Sequence, residues 1–407
     1  MHILVLDSIH GGDALGRALA ARGDDVVLVD VYRGTGGTVS VETARLRTYD
    51  LIAAPVHLDP DHILLKNTSI PVITHHEAVR QLLGSDVPRP MIEITGSRGK
   101  TTTAHALASL LPGRGILHTS SGTWRFPEKE FVSRSSITPT SVLHAAGLAK
   151  EIGGWLIAEE SLGVTGAGTL AIITSGEDYS FAAGKKHAVA AKLASARNSE
   201  TLLVTGNLPR NNRSGTVHSD DMVSVEGTTC RVSYMGMEYQ FSNSLLLLSS
   251  YRTPLELAAT AAVLLGFDPA PLASFAALPG RMSTSYENGI IVVDNANSGT
   301  NAETTQDAAR YARLLSGNSE ITLVIGKARG DGAVCEGFSP AQILTAIESV
   351  QPHRVIWVGD LPARETPEYW RLAPYISASA ANLEEGYSLA KDKTNQGSIV
   401  LAVKTWR

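Results

Sequence analysis

The sequence has only two cysteines, Cys230 and Cys335, far apart and in no ligand-like spacing. Neither a disulfide framework nor a zinc knuckle is therefore expected, and a reducing cytoplasm is the expected location. Runs of basic residues are missing and the formal net charge is -5, so no nucleic-acid partner is expected. Long apolar runs are missing too. The stretch LLLLSS is far too short to cross a bilayer, so no membrane partner is expected. The opening MHILVLDSIHGGD turns polar too early for a signal peptide. Internal repeats and low-complexity segments are absent. What is present is an ordinary globular composition: 407 residues, 43% apolar and 18% charged, enough for two or three domains.

The pattern is α/β throughout. HILVLD reads as a strand, DALGRALAARG as a helix ending at Gly23, and VVLVD as the next strand, a Rossmann-like start. Asp30 at the end of that second strand invites a dinucleotide reading, but HGGDALG spaces its glycines as G-G-x-x-x-G, not G-x-G-x-x-G. LLGSDVPRP looks like a linker, which gives an N-terminal Rossmann-like domain over 1–88. A central phosphate-loop ATPase domain follows over 89–279, with a β-leaning stretch, MVSVEGTTCRVSYMGMEYQFS. Within it Thr253, Pro254 and Glu256 offer an N-cap, an N1 proline and a capping-box acid, which predicts a helix opening there. From 280 to 407 the strands GIIVVD, EITLVIG, HRVIWVG and SIVLAVK alternate with helices, a C-terminal Rossmann-like α/β domain.

The strongest chemical signal is TGSRGKTTT, residues 95–103. A buried strand, Met91 to Ile94, runs through a glycine turn into a helix expected over Thr101 to Leu111. Unpaired N–H groups and the positive dipole end of such a helix favour an anion, Lys100 can reach terminal phosphates, and the Thr101 hydroxyl suits Mg²⁺. The loop is short: two residues, not the usual four, separate Gly96 from Gly99. WLIAEES ends a strand with Glu159 and Glu160, and neighbours on a strand face opposite ways, so one of them should face the loop; the alternative is two solvated loop acids. A further strand is expected to close with Asp178 and Tyr179 before an Ala-rich helix carrying Lys192, which by pattern alone reads as a solvated lysine.

The ordered series ITGSRGKTTT, LIAEESLG, AAKLAS, LPGRMS, IIVVDNANSGTN and LVIGKARGDG resembles the Mur ligase family, which includes the folylpolyglutamate synthases, over the whole chain. The short loop is the form that family uses. The resemblance implies three domains, ATP and Mg²⁺ as cofactors, and activation of a carboxylate as an acyl phosphate that a nucleophile then attacks. It implies that Ser97, Arg98, Gly99, Lys100, Thr101 and Thr102 hold the nucleotide, with Lys100 on the β- and γ-phosphates. Thr101 and Glu159 would hold Mg²⁺, and Lys192 would be carbamylated beside a second Mg²⁺. Arg281 would reach the γ-phosphate and Asp294 the ribose. Fixed cations would offset the repulsion of two approaching anions. Two positions depart from the family: Tyr179 stands where a histidine is common, and Glu256 where an asparagine is.

VLDSIHGGD and DNANSGTN look most like the methanogen branch of that family, which completes a nickel tetrapyrrole. This implies a nickel tetrapyrrole substrate, with His10, Gly11, Gly12, Asn295 and Asn297 as candidate contacts, and ring closure by an internal carbon on an activated propionate. His2, His10, His57, His62, His75 and His76, half of the twelve histidines, fall in the first domain. They could meet the carboxylates or the nickel of such a substrate, although surface and strand-end placement is the simpler expectation for any one. Two other functions stay open: amide ligation of an amino acid to a carboxylate, and a nucleotide-hydrolysing switch or binding module.

Overall fold

The computed structural model describes residues 1–33, 37–210, 213–328 and 338–405, so Cys335 and the end of LVIGKARGDG beyond Ala328 lie outside the described residues. The architecture is mixed α/β, as the alternation of apolar strands and amphipathic segments requires. The chain forms two compact units, one of residues 1–246 with 253–273, the other of 247–252 with 274–407.

The first unit contains two mainly parallel sheets. Strands Asp25–Val29, His2–Leu6, Leu51–Ala54 and Val72–Thr74 lie side by side in that order, all parallel. Apolar residues on both faces of HILVL fit a strand covered on both sides. Ile3 and Val5 pack towards helix Gly12–Ala21, while Leu4 and Leu6 join Tyr49, Ile52 and Leu64 in a second cluster. In the eight-stranded sheet the strand Met91–Thr95 lies between Leu170–Ile173 and Trp155–Glu159, parallel to both. Its register pairs Ile94 with Glu159 and Thr95 with Ile173, so the glycine loop and the carboxylates leave the sheet at the same edge. The β-leaning stretch forms a three-stranded antiparallel sheet, Val223–Glu226, Thr229–Tyr234 and Met237–Ser242.

Three local expectations are corrected. The phosphate-loop helix is Lys100–Ala108, ending before Leu111, and it is buried nearly all round. The strand expected to run to Asp178 and Tyr179 stops at Ile173, because Thr174 and Ser175 turn to hold the glycine loop. The helix predicted to open at Thr253 runs from Ser249 to Leu264, so Pro254 and Glu256 are interior to it. A short 3-10 turn, Ser244–Leu247, feeds that helix, and Arg252 N–H already donates to Leu248 O at 2.8 Å. Pro254, in the second turn, has no N–H to give the carbonyl of Ser250, so the helix runs through that position without one of its hydrogen bonds.

The second unit holds a six-stranded sheet in the order Ser283–Glu287, Ile290–Asp294, Ser398–Lys404, Ile321–Lys327, Arg354–Val358, Ile376–Ala380. Only the first pair is antiparallel. Helix Ala302–Ser316 is capped by Asn301 and helix Pro340–Val350 by Ser339. Among the described residues no helix is long and apolar enough to cross a membrane.

Candidate functional site

The glycine loop is shaped by the strand beside it. Ser175 Oγ accepts from the N–H of Ser97 at 2.8 Å and of Arg98 at 3.3 Å, and the Thr174 hydroxyl donates to Arg98 O at 2.5 Å. The approach is too close for a side chain at Gly96, where a Cβ would stand 2.1 Å from Thr174 Oγ1 and φ is +153°. Gly99, with φ +83°, then turns the chain into the helix that Lys100 begins. Arg98 is half-exposed and ion-paired with Glu177, and Thr102 is buried in the helix.

Over this turn the site assembles. Glu159 is buried and faces the loop: its Oε2 accepts from the Thr101 hydroxyl at 2.9 Å and from Ser120 N–H at 3.1 Å, and its Oε1 lies 3.8 Å from Lys100 Nζ. Ser120 Oγ is 3.2 Å from Thr101 Oγ1, so three oxygens gather there. These are the hard donors that a Mg²⁺ ion prefers. Lys100 Nζ donates to Gly96 O at 3.1 Å. Sequence reasoning missed Ser120, because nothing in LHTSSGT marks a serine that pairs with a carboxylate 39 residues on.

Lys192 is fully buried, against the pattern that suggested a solvated lysine. Its Nζ donates to Ser97 Oγ at 3.0 Å and sits 5.3 Å from the centre of the Tyr179 ring. Burial, reinforced by the nearby Lys100 charge, pushes its ammonium down to about 8, so roughly a tenth of it is the neutral amine at pH 7, far more than for an ordinary lysine.

Glu160 is buried as well, which removes the alternative of two solvated acids, and it faces away from the loop towards Glu93. Glu93, in the middle of MIEIT, was not singled out in the sequence; a carboxylate inside a fully buried strand was the available signal. It accepts from the N–H groups of Thr165 at 2.8 Å, Gly166 at 3.2 Å and Gly168 at 2.8 Å, and from the Thr165 hydroxyl. Burial, and then the charge of Glu93, hold the Glu160 carboxyl well above the usual carboxylate range. The folded state therefore keeps a proton that the unfolded state releases, and the associated stability is present below about pH 4.5 and declines as pH rises through the raised value. Glu160→Gln is expected to flatten that decline in urea unfolding measured from pH 5 to 8; an unchanged slope would show that Glu160 is ionised in the fold.

The histidines are sorted by burial. His75 and His76 are buried, at 2% and 3% exposure, and burial pushes both down to about 4, correcting the expectation of surface positions. With His10 and His57 they line a cavity of about 270 Å³ that Thr138, Pro139 and Leu162 complete. Gly11 caps helix Gly12–Ala21, and its carbonyl accepts from the Thr140 hydroxyl at 2.8 Å. Gly12 begins that helix beside the cavity wall.

In the second unit, the carbonyl of Arg281 accepts from the Tyr251 hydroxyl at 2.5 Å. Asp294 ends strand Ile290–Asp294, and its Oδ1 accepts from Ala296 N–H at 3.0 Å. Asn295 is buried and donates to Thr304 O at 3.1 Å, and Asn297 donates to Gly280 O at 2.7 Å while accepting from Gly299 N–H at 2.7 Å. The amides of these two residues hold the turn after the strand.

The fold is shared with solved ligases. UDP-N-acetylmuramate-alanine ligase from Thermotoga maritima superposes with a TM-score of 0.52 at 14% identity, over 99% of this chain and 95% of that one. A bifunctional folylpolyglutamate synthase/dihydrofolate synthase from Yersinia pestis, solved with AMPPNP and Mn ion, gives 0.55 at 16% identity, over 83% and 92%. The architecture is thus that of the Mur ligases. A family model described as the C-terminal domain of coenzyme F430 synthetase matches residues 284–405. The coenzyme F(430) synthetase of Methanosarcina acetivorans is 31% identical over all of this chain and 98% of its own length, and the chain belongs to the coenzyme F430 synthetase family.

Proposed function

We propose that this protein is an ATP-dependent ligase that activates a carboxylate as an acyl phosphate. Its reaction, in this reading, closes the cyclohexanone ring of coenzyme F430 from a propionate of the nickel seco-acid precursor and releases ADP and phosphate. The observation that carries the reading is the convergence of Lys100, Thr101, Glu159 and Lys192 on one glycine loop. Family membership supports the substrate class.

The residues fit ATP with Mg²⁺. Thr101 and Glu159 would hold the ion, which when bound supplies charge neutralisation between phosphates and carboxylate. Ser97, Arg98, Gly99 and Thr102 frame the phosphate turn, and Lys100 supplies a fixed positive charge where the transferred phosphoryl carries its negative charge. We assign Arg281 and Asp294 to the nucleotide from the family resemblance, and we keep the division 1–88, 89–279 and 280–407 as its domain plan. His10, Gly11 and Gly12 are the candidate substrate contacts. Asn295 and Asn297 are better assigned to the turn they hold.

We further propose that Lys192 is carbamylated. Its depressed basicity provides the neutral amine that carbon dioxide requires, and Ser97 positions it. A carbamate replaces a cation by an anion, so Lys192→Ala is expected to lose activity that acetate or formate added in solution partly restores. Indifference of the variant to added carboxylate, with near-normal turnover, would remove the modification from the mechanism.

The deciding experiment combines the protein with ATP, Mg²⁺ and the nickel seco-acid. One ADP and one phosphate are expected per coenzyme formed, with no stimulation by any amino acid. Turnover of an amine with a carboxylate, and no response to the tetrapyrrole, would make the protein an amide ligase. ATP hydrolysis indifferent to every carboxylate would make it a nucleotide switch.

A further inference from the structure

We propose that Asp7, His10 and His57 form a site for a divalent transition-metal ion, built from residues other than those of the phosphate loop and opening into the histidine-lined cavity. One ligand atom from each of the three lies within 4.8 Å of the others. His10 Nδ1 stands 2.8 Å and His57 Nε2 3.9 Å from Asp7 Oδ2. Ligands held at about 2.1 Å around one ion stand roughly 3 Å apart, so gathering these three takes side-chain shifts of about an ångström.

The surroundings prepare the three groups. Asp7 directly follows strand His2–Leu6, is fully buried, and holds a left-handed backbone with φ +81°. Aspartate tolerates that conformation, in which its side chain folds back over the following turn. Its Oδ1 accepts from Ile9 N–H at 2.8 Å and His10 N–H at 3.2 Å, which leaves Oδ2 directed at the two imidazoles. The backbone is pressed close, since a Cβ on Gly12 would stand 1.6 Å from Asp7 O. Among the described residues the ion-pair partners of Asp7 are these two histidines, with no lysine or arginine. A buried carboxylate so placed gains from a cation.

His57 Nε2 is buried with no hydrogen-bond partner. Tyr32 stacks on the His57 ring at 5.6 Å between centroids, and His10 meets both rings edge-on, so the imidazoles are held in place. Burial holds His57 below the ordinary histidine range, which favours the neutral, ligating form. Two imidazoles and one carboxylate with open positions suit late first-row ions such as Zn²⁺, Ni²⁺ or Co²⁺; Mg²⁺ prefers all-oxygen shells. The open positions would face the cavity, where a small anionic ligand can complete the shell.

The test uses the full chain, stripped of metal and free of nucleotide, titrated with Co²⁺ and followed by its visible absorption. One equivalent is expected to bind, to be displaced by Zn²⁺ and to be unaffected by excess Mg²⁺. His57→Ala and Asp7→Asn should each weaken binding by about tenfold or more, whereas Glu159→Gln should leave it unchanged. If Asp7→Asn fails to fold by circular dichroism, His10→Gln decides in its place, because the His10 side chain is half-exposed. A cobalt signal that survives His57→Ala and His10→Gln, or that disappears in Glu159→Gln, would overturn the assignment.

Discussion

Lys100→Ala is expected to fold normally and to lose carboxylate-dependent ADP formation by about a hundredfold or more. The side chain begins the phosphate-loop helix, is mostly shielded from solvent, and is anchored to the loop by its bond to Gly96 O. In the proposed mechanism its charge would already be in position when negative charge spreads over the transferred phosphoryl group, with no reorganisation needed at that moment. Truncation removes the charge and leaves the turn, because Thr174 and Ser175 hold the loop through the backbone of Ser97 and Arg98. Circular dichroism should match the parent, while coupled ADP assays should fall in kcat more than they change in KM for ATP. Near-normal turnover would take the loop out of the chemistry.

Glu93→Ala is expected to lower the stability of the first unit by about 3 kcal/mol or more. Glu93 ties the central strand of the eight-stranded sheet to the backbone of residues 165–168. Without it three buried N–H groups lose their acceptor, at roughly 1–3 kcal/mol each when nothing replaces it, and a cavity adds to the loss. The measurement is the urea midpoint together with hydrogen exchange at Thr165, Gly166 and Gly168, whose amides should lose protection. An unchanged midpoint would mean that water takes over all three bonds.

The strand, glycine turn and helix of the phosphate loop were legible in the sequence because they are contiguous and each obeys a local rule. The strand-end position of Glu159 was legible for the same reason. Its pairing with Ser120 and the pairing of Lys192 with Ser97, 95 residues apart, were not, since only the parallel register and the packing of a later helix bring them together. Glu93, one acid inside an apolar strand, was itself a visible signal, but the loop of residues 165–168 that donates to it lies 72 or more residues further on and is not legible from the strand. The start of helix Ser249–Leu264 was misread because Thr253, Pro254 and Glu256 obey a capping rule locally, while the preceding 3-10 turn had already started the helix. Asp7, His10 and His57 converge from the ends of two adjacent parallel strands, and spacing along the chain does not reveal that convergence.

The position of strand Ser398–Lys404 governs when the second unit can form. It follows the other five strands of the sheet in chain order, yet it lies between Ile290–Asp294 and Ile321–Lys327 in the middle of the sheet. On the ribosome, the strands on either side emerge first and have no common neighbour to join them until residue 404 has cleared the tunnel. Completion of this sheet therefore rests on long-range pairing, the kind of contact that forms slowly. Until then the apolar edges of Ile290–Asp294 and Ile321–Lys327 stay uncovered, and uncovered edges of that kind favour wrong pairings between chains.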